Sequence, residues 1–435
     1  MLRLDNLTSF VDVSAENTLR EHHIAGVSIS VSHRGDLVYA GGHGYAHLTP
    51  PNKASASTVY SLGSMTKQFT AVALLQLAEK GLIGLDDPLG SLLPLNNELM
   101  THASVRDLLA HTSGIRGDLE RLMLADSRSG GAISGEAALA LVTDDLFDAQ
   151  PGAVWRYSNF GYHLLGIAIE EITGESYADY LANHILPAVR LSSTWYGADA
   201  VPQGLLAQGY TDRNGDFASV DIPTSIQTFS SGGLFSNVLD LQRWTAALHQ
   251  GRLLSAESYQ LMTTPTLLSS GQQTSYGLGF FLGRCGEYRE IGHDGTSGGY
   301  SVQSAYYPDA ELSVVVLMNC EKHEAERLEK TISRHILDVK ETVAEDVQIS
   351  KIELAKYAGI YLHNGLEIPV EVNGLGLTIA TPSQRVSQLL YQGQGVFAQN
   401  DDPAIRFEFT VHASHADSFV VSREGKTIAI ARRLS

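Results

Sequence analysis

This chain has 435 residues, of which 43% are hydrophobic and 18% are charged, and its formal net charge is −18. Such a length exceeds what one hydrophobic core can organise, so we expect a globular protein of two or three domains. The negative charge argues against nucleic acid or an anionic membrane as a partner. The sequence also lacks the run of about 18 apolar residues that a membrane-spanning helix requires.

The N-terminal sequence and the cysteine usage both predict a cytoplasmic location. The first residues contain neither the apolar segment nor the cleavage site of a signal peptide. The two cysteines, Cys285 and Cys320, match no metal-binding spacing and are too few for a disulfide framework. We interpret them as two buried thiols in a reducing compartment, with a structural disulfide as the alternative.

The first 85 residues predict a helix, a hairpin and a second helix. Residues 4–22 carry a single apolar stripe. Residues 26–32 and 36–40 have the alternation of two strands joined by a tight turn. Residues 64–80 have the apolar face of a helix, and Gly81 suits the position just after its end.

The character of the chain then changes, because strand patterns largely disappear between about residues 86 and 200. This stretch predicts an all-helical insertion, with helices at 104–110, 137–143, 160–173 and 175–187. A helix over 240–248, strands over 276–282, 300–307 and 312–319, and a helix over 322–340 follow. We therefore predict an α+β domain over residues 1–340, in which an antiparallel sheet is flanked by helices.

The last part of the chain predicts a separate domain. Residues 341–350 are polar and carry no strong pattern, which indicates a linker. Over residues 351–435 short β-rich runs alternate with turns, and helical periodicity is nearly absent. This pattern predicts a small antiparallel β-barrel of lipocalin-like type.

The S-x-x-K tetrapeptide from Ser64 to Lys67 is the first candidate for catalysis. At a helix start, positions i and i+3 lie on one face, so the serine hydroxyl and the lysine amine meet. A serine becomes a nucleophile when a base removes its proton, and a neutral lysine can be that base. The N–H groups at the helix start can also stabilise an oxyanion. Alone the tetrapeptide is weak evidence, and an ordinary helix start is the alternative.

Two further segments carry candidate residues. Tyr157 and Asn159 precede a predicted helix and can project into one cleft, where the tyrosine would transfer protons and the asparagine would hold a substrate amide. The alternative is a packed tyrosine with the asparagine as a helix cap. Residues 292–299 are rich in glycine, which allows a ligand to approach the backbone closely. Within them His293 adds a titratable group, and a hairpin with a surface histidine is the alternative.

In chain order, S-x-x-K, Y-x-N and H-x-G resemble the motifs of the penicillin-recognising serine hydrolases. These include class C β-lactamases, D,D-carboxypeptidases, D-aminopeptidases and related esterases. The resemblance covers roughly residues 5–340. Flanking segments of the same type support it: LLAHTSGI at 108–115, SGGL at 231–234, YGLG at 276–279 and VVVLMN at 314–319.

The resemblance implies a role for the residues of the first two motifs. Ser64 would be the acylated nucleophile. Lys67 and Tyr157 would share the general-base work of acylation. Asn159 would position the substrate amide.

The third motif would complete the site. The backbone N–H groups of Ser64 and Thr296 would form the oxyanion hole. Gly295 and Thr296 would line the substrate-binding site, and His293 would take part in catalysis. In β-lactamases a lysine usually stands at this position and is associated with a substrate carboxylate. Histidine is a poorer anchor for a carboxylate near pH 7. H-x-G, like the SMTKQFT sequence around Ser64, is similar to the D-aminopeptidases, whose substrates have an amine at that end.

We therefore expect a serine hydrolase that transfers the acyl group of an amide or ester to water. The first choice is a D-aminopeptidase or D-amino-acid amidase/esterase, acting on a small molecule or short peptide that can contain a D-amino acid, without a cofactor. The alternatives are a carboxylesterase, a D,D-carboxypeptidase or β-lactamase, and an inactive binding protein. The D-aminopeptidases carry two barrels where this chain has room for one, which leaves the specificity open. Homo-oligomerisation is compatible with the sequence but is not encoded in a readable pattern.

Two other chemistries fit the sequence less well. Residues 295–299 also match G-x-S-x-G, with Ser297 as nucleophile, but that motif needs a helix after it and a strand-like run follows. The histidines show no H-E-x-x-H or comparable spacing, so no metal site is predicted. We expect His111 to act as a cap or to pack beneath the site.

Overall fold

The fold is given by a computed structural model, in which the chain divides into two compact units, Met1–Val339 and Lys340–Ser435. The structure describes residues 2–434 apart from 94–102, 117–138, 140–141, 144–145, 222–224, 323, 342–343, 346, 364–365, 375, 381–385, 401, 413 and 424. Within those described ranges, no helix has the length and apolar character needed to cross a membrane.

The described helices and strands of the first unit follow the chain in a mixed order. The helices are α1 (Leu7–His22), α2 (Lys67–Glu79), α3 (Val105–Leu109), α4 (Asn159–Thr173), α5 (Tyr177–Tyr180), α6 (Ser225–Gly232), α7 (Val238–His249), α8 (Ala256–Met262) and α9 (Glu324–Leu337). The strands are β1 (Gly26–His33), β2 (Asp36–Leu48), β3 (Pro51–Lys53), β4 (Tyr60–Ser61), β5 (Trp195–Tyr196), β6 (Tyr210–Arg213), β7 (Asp216–Ser219), β8 (Leu234–Ser236), β9 (Phe281–Cys285), β10 (Tyr288–Ser297), β11 (Tyr300–Tyr307) and β12 (Leu312–Met318).

A seven-stranded sheet in the order β3-β2-β1-β12-β11-β10-β9 is the centre of the first unit, and every neighbouring pair is antiparallel. The strand β12 is buried along its whole length, because α1 and α9 cover one face of the sheet and α7 covers the other. Its continuous apolar run is what two covered faces require. The predicted α+β fold is confirmed.

A layer of helices packs beside this sheet, as predicted. The predictions at 104–110 and 160–173 correspond to α3 and α4. The prediction at 175–187 corresponds to α5, followed by a π-helical turn at Leu181–Ile185 and a 3-10 turn at Pro187–Val189. The prediction at 137–143 falls largely on residues outside the described ranges.

Near the site, one strand prediction has the wrong bounds and one strand was not predicted. The strand β9 occupies Phe281–Cys285 rather than 276–282, because Gly279 has a φ of +81° and turns the chain just before it. The strand β10 was missed, because its second half is polar and glycine-rich. Those glycines are needed there, since a Cβ on Gly295 would lie 2.0 Å from the carbonyl oxygen of Leu62.

The two cysteines lie in the first unit. Cys285 and Cys320 are both buried and are not joined by a disulfide. The prediction of two buried thiols is confirmed, and the alternative of a structural disulfide is wrong.

The second unit is a closed barrel of eight antiparallel strands, β13 to β20 in sequence order, preceded by the short helix α10 (Lys351–Leu354). The strands are β13 (Gly359–His363), β14 (Leu366–Asn373), β15 (Gly376–Ala380), β16 (Val386–Gly393), β17 (Val396–Gln399), β18 (Asp402–His412), β19 (His415–Arg423) and β20 (Lys426–Arg433). An eight-stranded barrel is just wide enough for side chains to fill. Here a core rich in aromatic residues fills it, including Tyr361, Phe397, Phe409 and Phe419. The predicted antiparallel barrel is confirmed.

Candidate active site

Ser64 is the one accessible residue in a long buried stretch. Every residue from Thr58 to Leu75 is buried except Ser64, which is partly exposed. It lies in a 3-10 turn, Gly63–Thr66, that leads directly into α2. The helix predicted over 64–80 therefore starts with a tighter turn than expected, and this turn presents the serine hydroxyl at the surface of a buried core.

Lys67 is fully buried, with 0% exposure, and its side-chain nitrogen has three oxygen partners. Nζ lies 2.7 Å from Oδ1 of Asn159 and 2.9 Å from the backbone oxygen of Ser231. It lies 3.1 Å from Oγ of Ser64. The ring of Tyr157 lies beside it, with its centroid 4.8 Å from Nζ.

The three oxygen partners of Lys67 differ in their chemistry. Those of Asn159 and Ser231 are carbonyl oxygens, which only accept hydrogen bonds, whereas the hydroxyl of Ser64 can also donate. In the ammonium form Lys67 donates to all three. In the neutral form its two N–H bonds satisfy the carbonyl oxygens, and its lone pair is directed at the hydroxyl. The lysine can therefore accept the serine proton without changing its orientation.

The loop that carries Tyr157 and Asn159 is held by His111. The N–H of Ser158 donates to Nδ1 of His111 over 3.1 Å, and the N–H of Arg156 donates to its carbonyl oxygen over 2.8 Å. Tyr157 is thus fixed between two anchored residues. Ser158 also caps α4, because its hydroxyl accepts the N–H of a residue in the first turn, and this places Asn159 at the helix start.

His111 acts as a structural support in its neutral form. It is 1% exposed, and its ring packs 4.3 Å from that of Tyr157 and 4.7 Å from that of Tyr276. Burial, as the main cause, holds the pKa of His111 well below 6.5, and the nearby ionisable side chains of Lys67 and His293 lower it further. The expectation that His111 packs beneath the site is confirmed.

The second half of β10 lies against the Ser64 turn. Pairing with β9 covers only Tyr288–Gly292, so the last five residues of β10 extend beyond it. A Cβ on Gly63 would lie 2.9 Å from the carbonyl oxygen of Thr296, so that carbonyl faces the turn. In an antiparallel strand the N–H and C=O of one residue point to the same edge. The N–H of Thr296 therefore points from this edge of β10 toward the Ser64 turn.

His293 has an environment that the sequence did not predict. It is 1% exposed, and both ring nitrogens are bonded within the protein. Nε2 lies 2.9 Å from the hydroxyl of Tyr276, and Nδ1 lies 2.6 Å from the backbone oxygen of Asp294. The ring packs 6.2 Å from that of Tyr157. His293 is thus part of the wall behind the site rather than an exposed group at its surface.

The predicted site residues are all brought to one place. Ser64, Lys67 and Asn159 are joined by hydrogen bonds, and Tyr157 packs on the lysine. The strand β10, which carries the third motif, runs along the Ser64 turn. The roles assigned to these residues stay predictions, which the geometry supports.

Two contributors were missed by sequence reasoning. Ser231 acts through its backbone oxygen, so its residue type carries no chemical signal. Tyr276 contacts His293 through a buried hydroxyl. Both lie in flanking segments, SGGL and YGLG, that the resemblance had singled out without giving them a role.

A lysine-paired serine at the junction of an antiparallel sheet and a helical layer defines a serine hydrolase of the β-lactamase fold. The chain matches the Beta-lactamase family over residues 11–337 and belongs to that family. This family and its structural neighbours comprise serine hydrolases.

Individual relatives resemble the chain at modest identity. It is 27% identical over 433 residues to penicillin-binding protein 4* of Bacillus subtilis, covering 94% of this chain and 95% of the relative. The structure is similar to an octameric penicillin-binding protein homologue from Pyrococcus abyssi, with a TM-score of 0.71, 25% identity and coverage of 99% and 100%. It is also similar to a D-stereospecific amidohydrolase from Streptomyces sp., with a TM-score of 0.64, 26% identity and coverage of 76% and 99%.

Proposed function

We propose that this chain hydrolyses amides or esters through an acyl-enzyme on Ser64, and that it is a D-aminopeptidase or D-amino-acid amidase/esterase. The observation that carries the mechanism is the triple contact of Lys67. Two carbonyl oxygens and the hydroxyl of Ser64 surround its nitrogen at 2.7, 2.9 and 3.1 Å. This arrangement suits a base whose N–H groups donate to the carbonyl oxygens while its lone pair is directed at the serine hydroxyl.

The proposed reaction has two halves. In acylation Lys67, with Tyr157 beside it, takes the proton of Ser64 while the oxygen attacks the substrate carbonyl carbon. The N–H groups of Ser64 and Thr296 stabilise the resulting oxyanion. The proton then passes to the leaving amine or alcohol, and an ester to Ser64 remains. In deacylation water attacks this ester, gives its proton to the same base and regenerates the hydroxyl.

Asn159 and Gly295 would shape the substrate-binding site. The Oδ1 atom of Asn159 accepts a hydrogen bond from Lys67, so the group that this amide can offer to a substrate carbonyl is its Nδ2 donor. Gly295 lets β10 approach the Ser64 turn, because any Cβ there would meet the backbone oxygen of Leu62. A substrate would therefore lie along the edge of β10.

Two findings favour D-amino-acid amides and esters over substrates with a carboxylate. The first is that His293, at the position of the β-lactamase lysine, is buried and bonded on both nitrogens, so its ring does not offer a cation to a carboxylate. The second is the similarity to the D-stereospecific amidohydrolase from Streptomyces sp..

Other members of the family define the alternatives. The match to the penicillin-binding protein of Bacillus subtilis extends over 94% of this chain, which keeps D,D-carboxypeptidase or β-lactamase activity as the second candidate. A carboxylesterase would use the same residues. The octameric state of the Pyrococcus abyssi homologue supports a further proposal, that this chain forms a homo-oligomer, which light scattering would test.

A substrate panel tests the proposed function. Rates would be measured with D- and L-alanine p-nitroanilide, p-nitrophenyl butyrate and a chromogenic cephalosporin, using wild type and Ser64→Ala. Ser61→Ala is the matched control, because this buried serine has no lysine one turn away. We expect D-over-L turnover of the anilides that is lost in Ser64→Ala by several orders of magnitude and kept in Ser61→Ala. Cephalosporin hydrolysis without anilide turnover would instead assign the second candidate.

A further inference from the structure

The two hydrogen bonds of His293 limit its protonation pattern. Nδ1 faces the backbone oxygen of Asp294, and a carbonyl oxygen only accepts, so Nδ1 carries a proton. Nε2 faces the hydroxyl of Tyr276 at 2.9 Å. Burial, as the main cause, raises the pKa of Tyr276 well above its ordinary value of 10.0, so the phenol keeps its proton and can donate it to Nε2. A proton donated to Nε2 by that hydroxyl leaves the ring as the neutral Nδ1–H tautomer. Burial of the ring, which is 1% exposed, favours this uncharged form over an imidazolium that would donate to the hydroxyl.

The carbonyl that His293 satisfies lies next to the proposed oxyanion donor. Asp294 and Thr296 are two residues apart on β10, so their backbone groups point to the same edge. That edge faces the Ser64 turn, as the position of the Thr296 carbonyl shows. A bare carbonyl oxygen beside the oxyanion would repel it. The Nδ1–H of His293 donates a hydrogen bond to this carbonyl oxygen. That bond lessens the repulsion and holds the strand in position.

We propose that Tyr276 is a positioning residue: its hydroxyl holds His293 as the Nδ1–H tautomer, and the imidazole then braces the Asp294 carbonyl beside the oxyanion donor instead of contacting substrate. This inference rests on the proposed hydrolase function and deepens it. In place of the cationic lysine of related enzymes, the strand presents a neutral ring that acts through the backbone. The substrate would meet the backbone of β10 rather than a cationic side chain at this position.

The tautomer can be observed directly. In the 435-residue chain labelled with 15N-histidine, long-range proton–nitrogen spectra distinguish Nδ1–H, Nε2–H and imidazolium forms, and the signals of His293 are assigned by their loss in His293→Asn. We expect the Nδ1–H form in wild type and its loss or mixing in Tyr276→Phe. A dominant Nε2–H or imidazolium form in wild type would overturn the proposal.

A matched variant separates positioning from general packing. Tyr60→Phe removes another fully buried tyrosine hydroxyl of the same unit, one that bonds to Ser28 over 2.9 Å. It should leave the His293 signals and the rate unchanged. Tyr276→Phe should lower kcat by about 5- to 50-fold, the usual cost of one unsatisfied buried partner, with little change in KM. Unaltered His293 signals in Tyr276→Phe would contradict the proposal.

Two replacements of His293 test which nitrogen matters. The amide of an asparagine can place a donor near the position of Nδ1, whereas that of a glutamine reaches the position of Nε2. We expect His293→Asn to keep more activity than His293→Gln, because the bond to Asp294 is the one that braces the strand. Greater activity in His293→Gln would overturn the proposal. If wild type hydrolysed nothing, the proposed function would fail, while the tautomer spectra would still decide the role of Tyr276.

Discussion

Replacing Asn159 by aspartate tests whether Lys67 must lose a proton before acylation. The change keeps the shape of the side chain and puts a carboxylate where a neutral amide oxygen lies 2.7 Å from Nζ. Unit charges about 3 Å apart interact by about 1.4 kcal/mol in water and by about 5.5 kcal/mol at an effective dielectric constant of about 20. Because Lys67 is buried but its neighbour Ser64 is partly exposed, we expect about 1.4 to 4 kcal/mol in favour of the ammonium form.

The assay is the pH dependence of kcat/KM, which reports groups of the free enzyme. A stabilisation of the ammonium form by this amount moves the acidic limb up by about 1 to 3 pH units, with activity recovering above it. The control is Asn52→Asp, which adds the same charge at an exposed position of β3 and should leave the limb in place. An acidic limb that does not move in Asn159→Asp would refute Lys67 as the base.

Three further substitutions have structural reasons of their own. Gly295→Ala should abolish most activity and lower the melting temperature, because the new Cβ would lie 2.0 Å from the carbonyl oxygen of Leu62. In wild type, His111 should lower the free energy of unfolding by about 1.4 kcal/mol per pH unit on acidification below about pH 6.5, and His111→Asn should abolish this contribution. The reason is that the pKa of His111 is held well below 6.5 in the fold, so below that pH only the unfolded chain gains this proton. Lys330→Met should lower the free energy of unfolding by about 3 to 5 kcal/mol, because it leaves the buried carboxylate of Glu290 without its cation.

Each of these substitutions has a control or a contradicting result. Gly376→Ala in β15 meets its nearest atom at 3.5 Å and should be tolerated. In His111→Asn the new amide oxygen can still accept the N–H of Ser158, and an acid dependence equal to that of wild type would be inconsistent with a neutral His111. Lys356→Met removes a partly exposed ion pair and should cost at most about 1 kcal/mol. Equal stability losses in the two lysine variants would show that burial does not set the cost.

Denaturation can be followed for the first unit alone. The three tryptophans of the chain are Trp155, Trp195 and Trp244, and all lie in Met1–Val339. Their fluorescence therefore reports unfolding of the unit that contains the candidate site, and it serves for the variants of Gly295, His111 and Lys330. The controls Gly376→Ala and Lys356→Met lie in Lys340–Ser435, so calorimetry follows their unfolding.

The sequence predicted the parts of the site that local geometry controls. The spacing of Ser64 and Lys67 places their side chains within reach in any helical turn, and the structure has them 3.1 Å apart. The link from Lys67 to Asn159 spans 92 positions and was reachable only through the family resemblance. The contact with the backbone oxygen of Ser231 had no signal in residue type at all.

Sequence reasoning failed where packing overrides local preference. The second half of β10 has the glycines and polar residues of a loop, yet its close approach to Leu62 requires that composition in a strand. His293 was expected to take part in catalysis, with a surface histidine in a hairpin as the alternative, and neither expectation includes its burial. Inside the protein its Nε2 contacts the hydroxyl of Tyr276, 17 residues away, and the sequence pattern does not pair these two residues.

The most direct test of the central claim is the mass of the protein during turnover. Wild type and Ser64→Ala would be acid-quenched while hydrolysing a D-amino-acid ester, followed by intact mass measurement and peptide mapping. We predict an added acyl group on the peptide that contains Ser64, and neither the adduct nor turnover in Ser64→Ala. Wild-type turnover by Ser64→Ala, or an adduct on another peptide such as the one with Ser297, would contradict the Ser64 acyl-enzyme.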